Sequence, residues 1–260
     1  IFIPHQGCGH DCIFCNQKEI SGRDQLVDIR KDIEEYLAYF NNKEEVELAF
    51  YGGSFTGIGM DKMDEYIRQV IPYIKSGYIQ SIRLSTRPDY IDEEILKFLK
   101  DNYVRTIELG VQSTNQKVLD LNRRGTNVGE IKKASKLIKK SGFNLGLQMM
   151  TGMYGSSNEK DLQTAFEISR LNPDFVRIYP TMVVPNTRLY SLYQKDEYKP
   201  QTLDETIENL LAIVGLFESK SIDIIRIGLY SNGKDQNFVG PFHPALKQLV
   251  YTCLLYTSDA

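Results

Sequence analysis

Short runs of β-branched and aromatic residues alternate with longer stretches of helical periodicity along most of this 260-residue chain, and that alternation leaves few folds open. Strand text separated by a dozen or more residues of amphipathic helix builds parallel strand pairs with crossover helices. The chain is therefore expected to be α/β, a partial (β/α)6 barrel of the TIM type. The strands are read at 1–4 (IFIP), 46–51 (VELAFY), 81–84 (SIRL), 105–111 (RTIELGV), 144–150 and 175–179. The helices between them are read at 61–75, 92–101, from 115, at 128–141 and at 159–171. A later helix, Leu203–Ser219, and the apolar run Asp223–Ile227 extend or close the edge of the sheet. With 42% apolar residues, the length suffices for one sizeable core. Residues 1–252 are thus read as one domain with a C-terminal extension from about 200.

In a fold of this kind the loops at the strands' C-terminal ends surround one shared mouth. The polar and glycine-rich motifs fall there: a cysteine loop after the first strand, then Gly52-Gly53-Ser54, Ser85-Thr86-Arg87-Pro88, Gln112-Ser113, Met150-Thr151-Gly152 and Pro180-Thr181. Each alone reads as an ordinary βα turn, and their convergence is what argues for an active site. The first is the most informative. Cys8, Cys12 and Cys15 lie in PHQGCGHDCIFCNQ, a C-x3-C-x2-C spacing that takes up three of the chain's four cysteines. Thiols so close in sequence do not staple distant parts of a fold, so shared coordination of a metal centre is the better explanation. Iron–sulfur clusters are commonly held by four cysteines, and three leave one iron open to another ligand. A structural zinc site with His5 or His10 as its fourth ligand is the alternative; the single knuckle favours iron–sulfur, and both histidines read more simply as loop residues.

A formal net charge of −3 gives no global attraction to nucleic acid, leaving only local patches at Arg123-Arg124, Lys132-Lys133 and Lys139-Lys140. No apolar run is long enough to span a bilayer and no signal peptide is legible, so a cytoplasmic setting without a membrane partner is expected. The sequence starts without methionine inside its first strand, so upstream residues are expected to be missing. Residues 253–260 (CLLYTSDA) read as a non-native tail, and Cys253 is given no role.

With the cysteine spacing, the segments FYGGSFTGI, STRPDYID, IELGVQS, LNRRGT and RIYPTMVVPNTRLYSLYQKDEYKP resemble the radical SAM superfamily. Within it they are similar to the elongator catalytic subunit branch and, more distantly, to the oxygen-independent coproporphyrinogen oxidases; the likeness runs from residue 1 to the 240s. The resemblance implies a radical SAM barrel and an enzyme with a [4Fe-4S] cluster on Cys8, Cys12 and Cys15. The open iron would chelate S-adenosyl-L-methionine, whose reductive cleavage starts hydrogen abstraction. By position, the resemblance implies cofactor contacts at Phe14 beside the adenine and at Gly52, Gly53 and Ser54 on the methionyl ammonium, through main chain or hydroxyl. Gln112 and Arg123 would hold the nucleoside and carboxylate ends. Ser85 stands where relatives commonly carry an acid, and Gln148 where the heme-pathway relatives carry Asp. A reductant such as ferredoxin or flavodoxin is implied, with tRNA as a candidate substrate; a tetrapyrrole enzyme and a non-catalytic metal-binding protein remain alternatives. Tyr179, Tyr190 and Tyr193 read as packing residues.

Overall fold

Seven parallel strands lie side by side in chain order: β1 (Phe2–Ile3), β2 (Glu47–Gly52), β3 (Ser81–Thr86), β4 (Val104–Gln112), β5 (Asn144–Thr151), β6 (Phe175–Pro180) and β7 (Asp223–Ile227). The computed structural model describes residues 1–3, 7–16, 28–40, 46–229 and 237–258, so Pro4, His5 and the last two residues of the expected tail lie outside it. The run at Asp223–Ile227 proves to be a seventh strand paired with β6, which extends the six-unit barrel by one.

Helices fill the crossovers: α1 (Ile29–Leu37), α2 (Met60–Lys75), α3 (Glu93–Asp101), α4 (Gln116–Leu121), α5 (Val128–Lys140), α6 (Asn158–Ser169), α7 (Arg188–Gln194) and α8 (Leu203–Ser219), with α9 (Leu246–Ser258) after β7. Side-chain caps start several of them. Asp92 accepts from the Ile95 N–H, and Asn127 with Glu130 and Thr202 with Glu205 form reciprocal capping boxes. The helices α1, α7 and α9 were not expected from the sequence. α1 sets Ile29, Ile33 and Leu37 one turn apart against the core. α9 continues through 253–258, within the expected tail.

The strands alternate by face. Leu48, Phe50, Ile82, Leu84, Ile107, Leu109, Leu145, Leu147, Val176 and Ile178 are buried on the helix-covered side. Each such side chain contributes roughly 1.5–3 kcal/mol by leaving water. The other face carries Glu47, Tyr51, Arg83, Ser85, Glu108, Gln148 and Arg177. Its hydrogen bonds reveal the curvature: Arg177 Nη2 donates to Tyr51 Oη at 2.7 Å, although β6 and β2 are four places apart in the sheet. In a flat sheet such strands lie about 19 Å apart, so the sheet curls until its polar face meets itself as the inside of a barrel.

The base of that interior is filled. Phe175 lies across it with the Arg83 guanidinium 4.9 Å from its ring centroid. Gly146 leaves the room: a Cβ there would lie 2.4 Å from the Phe175 ring.

Candidate functional site

Above that floor, Glu108 anchors the barrel interior. Its side chain is fully buried and accepts from Tyr51 Oη (2.8 Å), Arg83 Nη1 (3.1 Å), Gln148 Nε2 (2.8 Å) and Arg177 Nε (2.7 Å). Burial alone would push the Glu108 carboxyl up, but the bonds and charge of Arg177, with those of Gln148 and Tyr51, hold it below the usual range. Gln148 also reaches Ser85 Oγ at 3.4 Å. Ser85 and Gln148, both expected at the site, therefore sit together on the interior wall with their polar groups turned to Glu108 and to each other.

At the mouth, β1 delivers the cysteine loop. Ile3 pairs with Gly52, and the Gly53 N–H donates to Ile3 O at 3.0 Å. Gly52 has φ +122°, and a Cβ there would lie 2.2 Å from Ile3 O, so this close approach of strand and loop requires glycine. Cys8, Cys12 and Cys15 are all free thiols, and the Cys15 N–H closes a turn onto Cys12 O at 3.1 Å. Although Cys8 is exposed as a residue, the protein behind it pushes its thiol up, while Arg124, Arg87 and the Ser54 main-chain N–H draw it down. Burial, together with the neighbouring Cys12 and Cys8, pushes the Cys15 thiol up to about 12. Among the described residues the three sulfurs do not form a ready coordination shell. Thiols this close resist joint ionisation until a cation joins them.

The surroundings of the loop are cationic. Arg124 is buried, donates from Nη2 to Gly110 O at 2.6 Å and points Nη1 at Cys12 Sγ, 3.7 Å away. The neighbouring Arg123, expected here, is exposed at φ +52° and turned outward, so the arginine that faces the cysteines is Arg124. Arg87 is also buried; it forks onto Asp89 (2.9 Å) and donates to Thr126 Oγ1 (2.9 Å). His10 sits 3.8 Å from Asp89 with its ring over Gly125. Tyr90 Oη accepts from the Gly9 N–H at 3.2 Å.

The Ser54 hydroxyl, expected together with its main chain as a cofactor contact, is engaged within the fold. The group is buried and committed to Thr86 Oγ1 (2.7 Å) and the Arg87 N–H (3.1 Å), so it braces the loops after β2 and β3. Gln112 ends β4 at φ +67°, beside a register shift, and its buried Oε1 has no partner. Arg87 Nη1, Asn122 Oδ1, Arg124 Nε and Thr151 Oγ1 are likewise buried and unpaired. Among the described residues, only Thr206 adds such an atom elsewhere. Native proteins leave few such atoms, and nearly all of these gather at the mouth.

Phe14 and Ile13 face the other way. Ile13 is buried with Val183, Leu189 and Tyr198, and Phe14 packs against that cluster. Main-chain bonds clamp the loop from both sides, with the Ile13 N–H donating to Asn122 O (3.2 Å) and the Leu189 N–H to Ile13 O (2.8 Å). Asp161, which the sequence did not single out, is buried and accepts from the Gly152 N–H (2.8 Å), Asn209 Nδ2 (3.0 Å) and Ser156 Oγ, fixing the loop after β5. Tyr179 is half-buried; burial pushes its hydroxyl up, while the charge and hydrogen bond of Arg177 draw it down.

Comparison with known proteins places these features. Residues 2–168 match the model of the radical SAM superfamily, and 173–254 match a radical SAM C-terminal domain. The tRNA uridine(34) acetyltransferase of Methanocaldococcus infernus is 33% identical over 207 residues, covering 71% of this chain and 38% of that protein. The chain thus spans well under half the length of the tRNA uridine(34) acetyltransferases and Elongator complex proteins it matches. Among solved structures, the archaeal Elp3 of M. infernus with an N-terminal deletion superposes with a TM-score of 0.73 at 25% identity, covering 88% of this chain and 58% of that one. Coproporphyrinogen III oxidase of Escherichia coli superposes at 0.64 and 18% identity, covering 84% and 51%, a likeness of fold alone.

Proposed function

Because the chain belongs to the radical SAM superfamily, we propose that Cys8, Cys12 and Cys15 hold a [4Fe-4S] cluster and that the mouth above them binds S-adenosyl-L-methionine for chemistry on tRNA. The observation that carries this reading is a set of three free thiols with the buried guanidinium of Arg124, whose Nε is unpaired, against one of them. Thiolate sulfur is the donor that iron–sulfur centres take, and the buried guanidiniums of Arg87 and Arg124 suit an anionic centre and a carboxylate. Gln112 Oε1 suits a hydroxyl or ammonium donor. When bound, cluster and sulfonium supply a 5′-deoxyadenosyl radical for hydrogen abstraction.

The chain's own residues shape that chemistry. The Gly52-Gly53 turn brings β1 and its cysteine loop against β2, and Ser54 locks the turn to Thr86. Ile13 and Phe14, under the segment that carries Val183 and Leu189, exclude water from one flank. The Glu108 network presents a fixed polar wall below. A nucleic-acid substrate is supported by the relatives named for tRNA modification.

Anaerobic reconstitution followed by incubation with dithionite and S-adenosyl-L-methionine tests the reading. Iron, sulfide and 5′-deoxyadenosine are expected with the native chain and not with Cys12→Ala, and tRNA is expected to change the 5′-deoxyadenosine yield. Zinc without iron or sulfide, or no 5′-deoxyadenosine from the native chain, overturns it.

A further inference from the structure

Arg124 is the one buried cation at the mouth that no carboxylate neutralises among the described residues. Arg87 is paired with Asp89, and deeper in the barrel Arg83 and Arg177 are paired with Glu47 and Glu108. Arg124 instead meets a carbonyl, Gly110 O at 2.6 Å, and a sulfur, Cys12 Sγ at 3.7 Å, and its Nε has no partner. A buried charge without a counter-ion costs several kcal/mol, so a guanidinium pinned in this position calls for an anion that the described residues do not supply.

We infer that Arg124 is a positioning residue for the cysteine-held centre, donating an N–H···S hydrogen bond to Cys12 and supplying the counter-charge that makes the centre easier to reduce. This rests on the proposed cluster. Hydrogen bonds to ligand sulfur and net local charge both set the potential of such centres, and Arg124 contributes both. The pinning is specific: the Arg124 N–H donates to Leu119 O at 2.9 Å, which fixes the backbone, and Gly110 O orients the guanidinium plane. One electron enters from a low-potential donor and no bond is made or broken; the added negative charge falls beside a fixed positive one.

The test is an EPR-monitored redox titration of the reconstituted protein without S-adenosyl-L-methionine, so that any contact with that molecule is silent. Arg124→Gln is expected to keep its iron and sulfide but to show a reduced-to-oxidised ratio about tenfold lower at a fixed poise, which is 59 mV for one electron. Arg124→Lys, which keeps the charge and loses the planar fork, is expected to fall between the two. Arg87→Gln, whose charge Asp89 already offsets, is expected to shift the potential less. An unchanged midpoint in Arg124→Gln overturns the inference, as does an equal or larger shift in Arg87→Gln. If the Gln variant assembles no centre, the Lys variant decides, and a midpoint equal to the native one overturns it. A native chain that takes up no iron and sulfide overturns the cluster reading as well, which separates the two failures.

Discussion

Glu108 holds two arginines at once, and what it does at neutral pH depends on staying ionised inside the barrel. Replacing it by Gln leaves Arg177 without its counter-charge and Arg83 with Glu47 alone, so Glu108→Gln is expected to destabilise the chain by about 3–5 kcal/mol in urea unfolding. The pH dependence follows from the direction of its shift. A carboxyl held below its ordinary value in the folded state contributes stability that is fully present above the unfolded value, about 4.3 for Glu. That contribution is lost as pH falls through the folded value, so the native chain's midpoint is expected to drop faster below about pH 4 than that of Glu108→Gln. At the same scale, adjacent arginines behave differently for a backbone reason. Arg123 takes a left-handed conformation after α4 and projects outward, which returns Arg124 toward Gly110 and Cys12. The string LNRRGT contains both residues and does not distinguish them, since the decision lies in one φ angle.

At the scale of elements, two glycines make opposite predictions. Gly52→Ala places a Cβ against Ile3 O in a conformation that costs roughly 1–3 kcal/mol. It is expected to loosen β1 from β2 and to lower both the unfolding midpoint and iron uptake. Gly215 lies inside α8 with open space around its Cα, so Gly215→Ala is expected to stabilise the chain by roughly 0.5–1 kcal/mol in the same assay. The long elements were legible because their periodicities are strong. Leu203–Ser219 has the bounds read from the sequence, and β2 to β6 differ by a residue or two at their ends. The helix α7 was missed because a short segment stabilised by tertiary contacts carries little pattern of its own, whereas α1 has apolar residues one turn apart at Ile29, Ile33 and Leu37 and was overlooked. At the site, the cysteines and the motif loops were legible from spacing and order. The Glu108 network was not, because its members are spread over five strands and meet only when the sheet curls.

Across the whole molecule, the cysteine loop near the start of the chain is buttressed by residues near its end: Ile13 packs with Val183, Leu189 and Tyr198, and Val239 lies against the same cluster. Anything bound to the three thiols therefore secures both regions. The reconstituted protein is expected to melt above the chelator-stripped one by at least about 2–4 °C, the response to 1 kcal/mol in a chain of this size. Amide exchange at Ile13 and Leu189 is expected to be the most slowed, and equal melting of the two forms would count against the thiols as the binding site. No helix among the described residues is long and apolar enough to cross a membrane. The filled base has its own effect on traffic. With Phe175 and Arg83 across its base, the interior is blind at that end, and exchange with solvent is left to the mouth and to the side between the sheet's two edges, β1 and β7.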